Sequence, residues 1–469
     1  MATLCEKFYN ETKEYSMCGF YHFCSPVILI REPEIIKNVL STNFSSFSKN
    51  PIELSCPEKD GLLRRHPFFQ KGDEWKKGRA RMGNCLSSLK IKSILPLVRT
   101  CVLKLNTNLK EQSKTKGTFD LNIKELLNKF TGEVSSNLVG IEDGNFQEDK
   151  DSVENYNKVI GKLFETPSLA AGLQQMMLFY APAFAKLMKF GFTPKEVDHY
   201  FRQIATKIIK KRKEEKLVHN DFLQIVMDYE QIHSITENEE LLAASHMLSF
   251  AFDLYELIAI TISHLLNDLA HRPEIQNKVR EEITAVLDKY NGELTLDAIK
   301  EMTFFDKVLN ESQRMNHILG VFFKICTKRT KLEGKDGLLC VVEPGQMVAI
   351  SAYGLQMDPK YWKDPEIFDP ERFDHDEKKN NGEKFAFLPF GEGPRMCIGM
   401  RLSLILMKLS VSGILRDFSV QPSSKMIVPM RRDETNFLNF PKGGFWVKIL
   451  PLKTSALSTS ESAAVGVVV

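Results

Sequence analysis

The chain has 469 residues, of which 43% are apolar and 26% are charged, and its formal net charge at pH 7 is +3. This composition is typical of a globular protein with a large core. No block of Lys and Arg interleaved with aromatic residues stands out, which argues against nucleic-acid binding. Thirty-two phenylalanines against three tryptophans predict a bulky apolar interior that suits apolar ligands.

The N-terminal sequence, MATLCEKFYNETKEY, contains neither a signal peptide nor an apolar run long enough to cross a membrane. We therefore expect residues 1–14 to form a segment without a membrane anchor. The sequence that follows predicts a short pair of strands, one of them from Val27 to Ile30, and a helix that begins at about Pro33.

From Lys71 onward, helical patterns dominate. Thr193, Pro194 and Glu196 are residue types that favour the first positions of a helix, and they predict a helix start. The longest apolar stretch, from Leu241 to Leu266, contains two histidines and two acids. This composition predicts a long buried helix rather than a membrane span.

The stretch from Met176 to Phe192, MMLFYAPAFAKLMKFGF, is apolar except for Lys186 and Lys189. Two interpretations are open for it. One is a pair of helices packed into the core. The other is a surface that enters a membrane interface, with its lysines at the level of the lipid headgroups. The second interpretation predicts a membrane-surface contact around residues 176–192.

Nine cysteines are spaced irregularly, and no C-x-x-C pair occurs. This pattern argues against a disulfide framework or a zinc site and favours a reducing compartment. The last residues are small and of low complexity, which predicts a disordered tail over 454–469. Because no linker is evident, we expect residues 15–453 to form one large domain, mainly α-helical with small β-sheets.

Among the cysteines, Cys397 alone lies in a distinctive segment, FLPFGEGPRMCIGMRLS. A cysteine binds a metal as the thiolate, and a buried thiolate is stabilised by hydrogen-bond donors. Gly391, Gly393 and Gly399 allow the backbone to bend and bring N–H groups toward the sulfur. Arg395 can meet an anionic group such as a carboxylate. These features suit a thiolate bound to the iron of a haem, while the spacing leaves open a glycine-rich turn before a core helix.

This segment resembles the haem-binding loop of the cytochrome P450 family, whose pattern is F-x-x-G-x-R-x-C-x-G. The pattern is matched at Phe390, Gly393, Arg395, Cys397 and Gly399. The resemblance spans about residues 15–450, and in its detail the chain looks most like the microsomal, drug-metabolising group of insects and animals. It implies the P450 fold, haem b (iron-protoporphyrin IX) as the cofactor, and Cys397 as the ligand of the haem iron.

A second family pattern, E-x-x-R, is matched by Glu311 and Arg314. Residues three apart on a helix share a face and can pair. The resemblance implies that Arg372, in the sequence PERF, joins this pair in a structural network that holds the loop under the haem. In isolation, such a pair is more typical of a solvated helix surface.

Further residues match positions that contact the haem propionates in the family. Trp75 and Arg79 match a W-x-x-x-R pattern, and the resemblance implies that both donate hydrogen bonds to a propionate. Lys324 stands where the family commonly has an arginine. A lysine keeps the charge of arginine but loses its bidentate geometry.

The oxygen-activating helix of the family carries an acid followed by a threonine. Counting back from the sequence HRPEIQ places the acid at Glu256 and Leu257 at the threonine position; an alternative alignment uses Asp253, which Leu254 follows. Neither alignment supplies a hydroxyl. We expect Glu256 and ordered water to deliver protons. We also expect poor coupling of NADPH use to product formation, because leucine has no hydrogen-bonding group.

The resemblance implies a haem-thiolate monooxygenase on the cytosolic face of the endoplasmic reticulum membrane. Its electrons would come from NADPH through a flavoprotein reductase, with cytochrome b5 as a further candidate partner. The substrate would be an apolar small molecule (xenobiotic, lipid or hormone-like) recognised by loops around residues 44–63 and 164–192. Basic residues near the Trp75 helix predict a docking surface for an acidic reductase. They are Lys76, Lys77, Arg79, Arg81, Lys90 and Lys92.

Two other functions remain open at this point. One is a hydroperoxide isomerase or dehydratase of the same fold, because some family members of that kind lack the threonine. The other is a non-catalytic relative that binds haem or lipid. Leu257 fits the first of these, whereas Leu257, Lys324 and the expected lack of an anchor favour the second.

Overall fold

One long helix, from Glu239 to Ala270, forms the centre of the fold. The Asn238 side chain caps it by accepting a hydrogen bond from the Leu241 N–H at 3.0 Å. The helix is apolar on all sides, which is typical of a helix enclosed by a core. Among the described residues it alone is long and apolar enough to cross a membrane, and 78% of its apolar window lies inside the fold. The predicted buried helix is therefore confirmed.

The computed structural model describes residues 2–452 except 23–24, 53, 55, 142–155, 166–171, 175–176, 179–181, 216–218, 233–237, 375–382 and 435. The predicted tail at 454–469 lies outside these residues. The α-helices within them are α1 (Ala2–Glu11), α2 (Pro33–Lys37), α3 (Pro57–Asp60), α4 (Gly72–Cys85), α5 (Ser88–Lys116), α6 (Ile123–Leu138), α7 (Tyr156–Gly161), α8 (Pro182–Leu187), α9 (Lys195–Glu215), α10 (Phe222–Ile232), α11 (Glu239–Ala270), α12 (Pro273–Lys289), α13 (Leu296–Glu301), α14 (Thr303–Met315), α15 (Ala352–Gln356) and α16 (Met400–Asp417).

The described strands are short and form three small sheets. They are β1 (Met17–His22), β2 (Ser25–Ile30), β3 (Phe119–Asn122), β4 (Val321–Ile325), β5 (Thr330–Glu333), β6 (Leu339–Val342), β7 (Met347–Ser351), β8 (Phe418–Pro422) and β9 (Trp446–Pro451). The largest sheet has the order β1-β2-β7-β4. In it β2 and β7 are parallel, with Leu29 opposite Ala349, whereas the other two pairs are antiparallel. The expected fold, mainly α with small β-sheets, is confirmed.

Several local predictions also agree with the structure. The predicted strand at Val27–Ile30 forms most of β2, and α2 begins at Pro33. Helix α9 begins at Lys195, directly after the predicted start signal. There the Thr193 N–H donates a hydrogen bond to Asp60 Oδ1 at 2.8 Å, which ties the start of α9 to the end of α3.

The N-terminal helix α1 belongs to the folded body. Its Cys5 and Tyr9 side chains are buried in an apolar cluster that the largest sheet shares. The Tyr9 hydroxyl donates a hydrogen bond to Asp358 Oδ2 at 2.8 Å, and the Arg31 guanidinium lies 4.3 Å from the centre of the Tyr9 ring. These contacts join α1 to the segment that precedes the cysteine loop.

Candidate functional site

The backbone around Cys397 forms a tight loop between a 3-10 turn, Gly393–Arg395, and α16. Gly391 and Gly393 have φ angles of 69° and 77°, in the left-handed region that favours glycine. A Cβ on Gly393 would lie 1.9 Å from the Leu40 carbonyl oxygen, so a larger residue does not fit. The Cys397 N–H donates to the Phe390 carbonyl at 2.8 Å and closes the loop.

Cys397 is exposed to solvent, and the space between its loop and α11 is called the cleft below. The enclosing protein nevertheless raises the pKa of Cys397 to about 11, mainly through burial and then through the negative charge of Asp253. The N–H groups of Gly399 and Met400 and the charge of Arg79 act in the opposite direction. The free thiol is therefore protonated at neutral pH, and a coordinated cation would favour the thiolate.

Arg395 crosses from the loop to the helix that carries Trp75. Its guanidinium lies 4.5 Å from the centre of the Trp75 ring, a cation–π contact. It also donates to three backbone carbonyls: Ser48 at 2.6 Å, Pro67 at 3.2 Å and Gln70 at 2.8 Å. The structure thus places Arg395 beside Trp75 on one side of the Cys397 loop.

Arg79, Arg395 and Lys324 form a group of partly buried cations. Burial lowers the pKa of Lys324 to about 7, and the charge of Arg395 adds to this effect. Burial also lowers the pKa of Arg395 to about 10, with a further contribution from Arg79. The hydrogen bonds of Arg395 and Lys324 go to neutral oxygens; Lys324, for example, donates to Asn50 Oδ1 at 2.7 Å. Two carboxylates, such as the propionates of a haem, would stabilise these mutually repelling charges.

Glu311, Arg314 and Arg372 meet in the buried network that the sequence predicted. Arg314 pairs with both carboxylate oxygens of Glu311, with N–O distances of 2.7 and 2.8 Å, and both side chains are fully buried. Arg372 Nε lies 3.4 Å from Glu311 Oε1, to which the Asp369 N–H also donates at 2.8 Å. Because each oxygen of Glu311 has a cationic donor, the buried carboxylate is compensated.

The network connects to the cysteine loop through Gln356. Arg314 donates to the Gln356 carbonyl at 2.8 Å. The Gln356 side chain accepts from the Leu388 N–H at 2.9 Å, and Leu388 begins the loop that leads to Cys397. His317 bonds the carbonyl of the same Leu388 at 2.9 Å. The Glu311 network therefore fixes the backbone immediately before the glycine turn.

One face of α11 borders the cleft opposite the cysteine loop. From Leu242 to Ala270 all side chains are buried except those of Phe252, Asp253, Leu257 and Thr261. The last three recur every four residues and share one helix face. The negative charge of Asp253 contributes to the raised pKa of Cys397, so this face lies within electrostatic range of the sulfur. Leu257 lies on it, and the Thr261 hydroxyl donates to the Leu257 carbonyl at 2.8 Å.

Glu256 lies on another face of α11 and is directed toward α6. Its side chain is buried, with Lys124 Nζ 2.5 Å from Oε1 and the Asn128 amide donating to Oε2 at 3.1 Å. The acid on the cleft face is Asp253, whose Oδ2 lies 2.9 Å from His66 Nε2. In the sequence, Asp253 belonged only to the alternative alignment, and nothing in the sequence singled out His66.

Aromatic rings pack around this pair. Phe252 stacks on Phe164 with ring centres 5.6 Å apart, and Phe69 and Phe192 each lie 6.0 Å from Phe252. Phe164 and Phe192 come from the predicted substrate loops. The rings of Phe69, Phe164, Phe192 and Phe252, called the chamber below, thus give Asp253 aromatic and apolar surroundings.

Comparison with known proteins gives a match over nearly the whole chain. The family model described as Cytochrome P450 matches residues 3–447. Cytochrome P450 6k1 of Blattella germanica is 30% identical, over 89% of this chain and 81% of its own length. Cytochrome P450 6B7 of Helicoverpa armigera is 28% identical (96% and 88%), and cytochrome P450 3A18 of Rattus norvegicus is 30% identical (88% and 81%).

These matches confirm the resemblance carried by the Cys397 loop, together with the fold and the haem b cofactor that it implied. The matched region begins within α1, earlier than the motifs alone indicated. Because the family model covers nearly the whole chain, the chain belongs to the cytochrome P450 family, whose members are haem-dependent monooxygenases.

Proposed function

We propose that this protein inserts one oxygen atom from O2 into an apolar small molecule, with Cys397 as the axial ligand of the haem iron. The observation that carries the proposal is the Cys397 loop, in which the N–H groups of Gly399 and Met400 hydrogen-bond the sulfur and the charge of Asp253, on the half-buried face of α11, acts on it. A haem held by a thiolate supplies the electron-rich iron on which O–O cleavage depends.

The chain's own residues have distinct parts in this proposal. Arg79, Arg395 and Lys324 would bind the propionates through their charges, and Trp75, which Arg395 contacts, would donate from its indole N–H. Phe390 and the glycine loop would limit the access of water to the sulfur. The aromatic rings of the chamber would orient an apolar substrate and exclude water around it. Glu256, paired with Lys124, would act from the α6 side as a proton reservoir.

Isotope labelling tests the reaction itself. With NADPH, a flavoprotein reductase, 18O2 and an alkylbenzene such as n-propylbenzene as the probe, we expect an alcohol that carries one 18O atom. NADPH supplies the two electrons, and the second oxygen atom leaves as water. Alcohol that lacks 18O, or no product from folded and haem-loaded protein over a panel of alkylbenzenes, would contradict the proposal.

A hydroperoxide isomerase is the second candidate, because the cleft face of α11 presents Leu257 where the family commonly has a threonine. Such an enzyme rearranges a hydroperoxide that already contains the activated oxygen. It would consume a lipid hydroperoxide without NADPH and would leave the alkylbenzene unchanged. The same labelled reaction therefore separates the two candidates.

We further propose that the protein acts at the cytosolic face of the endoplasmic reticulum. Phe184, Leu187 and Met188 are exposed around the end of α8, next to exposed Lys186 and Lys189. Apolar residues flanked by lysines are typical of a segment in a membrane interface; Met176, at the start of the predicted contact, lies outside the described residues. Leu187→Glu should weaken sedimentation with phospholipid vesicles about tenfold or more. Unchanged binding would refute this contact.

A further inference from the structure

The cleft face of α11 carries a single acid in aromatic surroundings. The Asp253 side chain is 35% exposed, whereas the adjacent Leu254 and the nearby Glu256 are buried. Glu256 is paired with Lys124. Asp253 is therefore the carboxylate of α11 that a molecule in the cleft can reach.

His66 holds this carboxylate in place without neutralising it. The Phe68 N–H donates to His66 Nδ1 at 3.1 Å, so Nδ1 is an acceptor and the ring proton lies on Nε2. From Nε2 the ring donates to Asp253 Oδ2 at 2.9 Å. A neutral imidazole bonded to a carboxylate leaves the pair with one net negative charge.

The rings near the pair suit a positive charge. The His66 ring lies 5.9 Å from Phe69 and 6.0 Å from Phe252, and Phe252 stacks on Phe164. The faces of aromatic rings attract cations, and quaternary ammonium groups are commonly bound between such rings. A carboxylate beside aromatic walls is complementary to an ammonium group attached to an apolar body.

Among the described residues, the hydrogen-bond partner that the structure gives the Asp253 carboxylate is His66, and nearby arginines contact other groups. Arg81 contacts His246 at 3.3 Å. His246 precedes Asp253 by seven residues on α11, a rise of about 10 Å along the axis. Arg79 and Arg395 belong to the group beside the cysteine loop, where the propionates would pair with them.

We propose that Asp253, positioned by His66, is a cation anchor that makes this protein selective for substrates with a positively charged amine next to an aromatic or apolar body. This inference rests on the proposed function, since it specifies the substrate class of the same cleft. It assigns to Asp253 the recognition of the charge and to the surrounding rings the recognition of the apolar part.

A matched pair of probes isolates the charge. Benzyltrimethylammonium and neopentylbenzene have nearly the same shape, but only the first is charged, and its nitrogen has no lone pair with which to bind iron. Isothermal titration calorimetry on the haem-loaded protein should show the charged probe binding about tenfold or more tightly than the neutral one, which corresponds to about 1.4 kcal/mol.

Variants then locate the effect. Asp253→Asn should remove the preference while changing the affinity for neopentylbenzene less than about twofold. Asp297→Asn, which removes an exposed acid on α13, should keep the preference for the charged probe. This variant controls for the change in total charge. His66→Gln, whose amide can donate the same hydrogen bond, should retain more of the preference than His66→Phe.

Two outcomes would overturn the inference. One is an Asp253→Asn protein that still prefers the charged probe. The other is an equal loss of affinity for both probes, which would make Asp253 a structural residue only. The carbon monoxide difference spectrum of the same samples separates this test from that of the proposed function. A thiolate band without charge preference refutes the anchor alone, whereas a missing thiolate band refutes the haem-thiolate assignment and leaves the calorimetric result on the anchor standing.

Discussion

Leu257 is the residue at which this chain departs most from the chemistry that its family suggests. It lies on the cleft face of α11, and leucine can neither donate nor accept a hydrogen bond. The Thr261 hydroxyl, one turn later, is bonded to the Leu257 carbonyl rather than directed into the cleft. Proton delivery in the cleft therefore depends on the remaining acids and on water.

We predict that Leu257→Thr raises the product formed per NADPH consumed. A placed proton donor commonly contributes about 10²–10⁴ in rate, so the native protein should release most of its reducing equivalents as hydrogen peroxide. Parallel measurement of NADPH, hydrogen peroxide and product checks this. Leu254→Thr, at a buried position on another face of α11, is the control. Tight coupling in the native protein, unchanged by Leu257→Thr, would contradict the prediction.

Lys324 makes the free energy of unfolding of the haem-free protein depend on pH near neutrality. Its pKa is lowered to about 7, mainly by burial, whereas an unfolded lysine titrates near about 10.4. Between these values the unfolded chain binds more protons than the folded chain, so stability rises with pH. A bound anion such as a propionate would raise the pKa of Lys324 and flatten this rise.

Urea unfolding of the haem-free protein at pH 7.5 and 8.5 measures the effect. The free energy of unfolding should rise more in the native protein than in Lys324→Met, by up to about 1.4 kcal/mol per pH unit. Lys331→Met, at an exposed lysine of β5, should behave like the native protein. Equal slopes in the native and Lys324→Met proteins would show that Lys324 does not titrate in this window.

At the scale of elements, the junction of α14 with the cysteine loop is the most constrained part of the site. We predict that Glu311→Gln destabilises the protein by about 3–5 kcal/mol, because it leaves the buried Arg314 charge uncompensated. Urea unfolding should show the lower free energy of unfolding, and gel filtration should show that the variant retains less haem. Glu371→Gln breaks a more exposed pair with Lys307, also on α14, and should cost less than about 1 kcal/mol. Similar losses in the two variants would refute the structural part assigned to Glu311.

The sequence was most informative where a function depends on neighbouring residues. The glycines, Arg395 and Cys397 lie within a few positions of one another, so their spacing indicated a bent loop, and the family resemblance added the iron-binding part of Cys397. The orientation of side chains on α11 was not predictable in this way. It depends on how the helix packs against α6, which turns Glu256 toward Lys124 and leaves Asp253 in the cleft.

Contacts between residues far apart in the chain could not be predicted from the sequence either. His66 and Asp253 are 187 positions apart, and Lys324 meets Asn50 across 274. No local pattern links such residues, because their proximity follows from the packing of whole elements. The burial that lowers the pKa of Lys324 has the same origin.

At the scale of the whole molecule, the distribution of charge bears on electron supply. Lys77, Lys90 and Lys92 are exposed on α4 and α5, near the face that carries the Cys397 loop, whereas Lys76 pairs with Asp73 at 3.0 Å. An exposed basic surface favours rapid association with an acidic partner. We therefore retain this surface as the proposed docking site of the reductase.

We predict that Lys77→Glu with Lys90→Glu slows reduction by the reductase about tenfold at low ionic strength. Added salt should slow the native protein and reduce the difference between the two proteins, because it screens exposed charges. Stopped-flow reduction under carbon monoxide measures both effects. Lys331→Glu is the control for net charge. This docking surface would be excluded if the reduction rate did not change with salt concentration and was the same in the native protein and in the variant with both Lys77→Glu and Lys90→Glu.

The central claim is that Cys397 binds the haem iron as a thiolate, and the carbon monoxide difference spectrum of the reduced protein tests it most directly. The native protein and the Cys340→Ala control, which removes a partly exposed cysteine of β6, should both show the thiolate band. Cys397→His should lose that band while keeping the fold, as judged by circular dichroism. A thiolate band that persists in Cys397→His, or its absence from folded and haem-loaded native protein, would contradict the account.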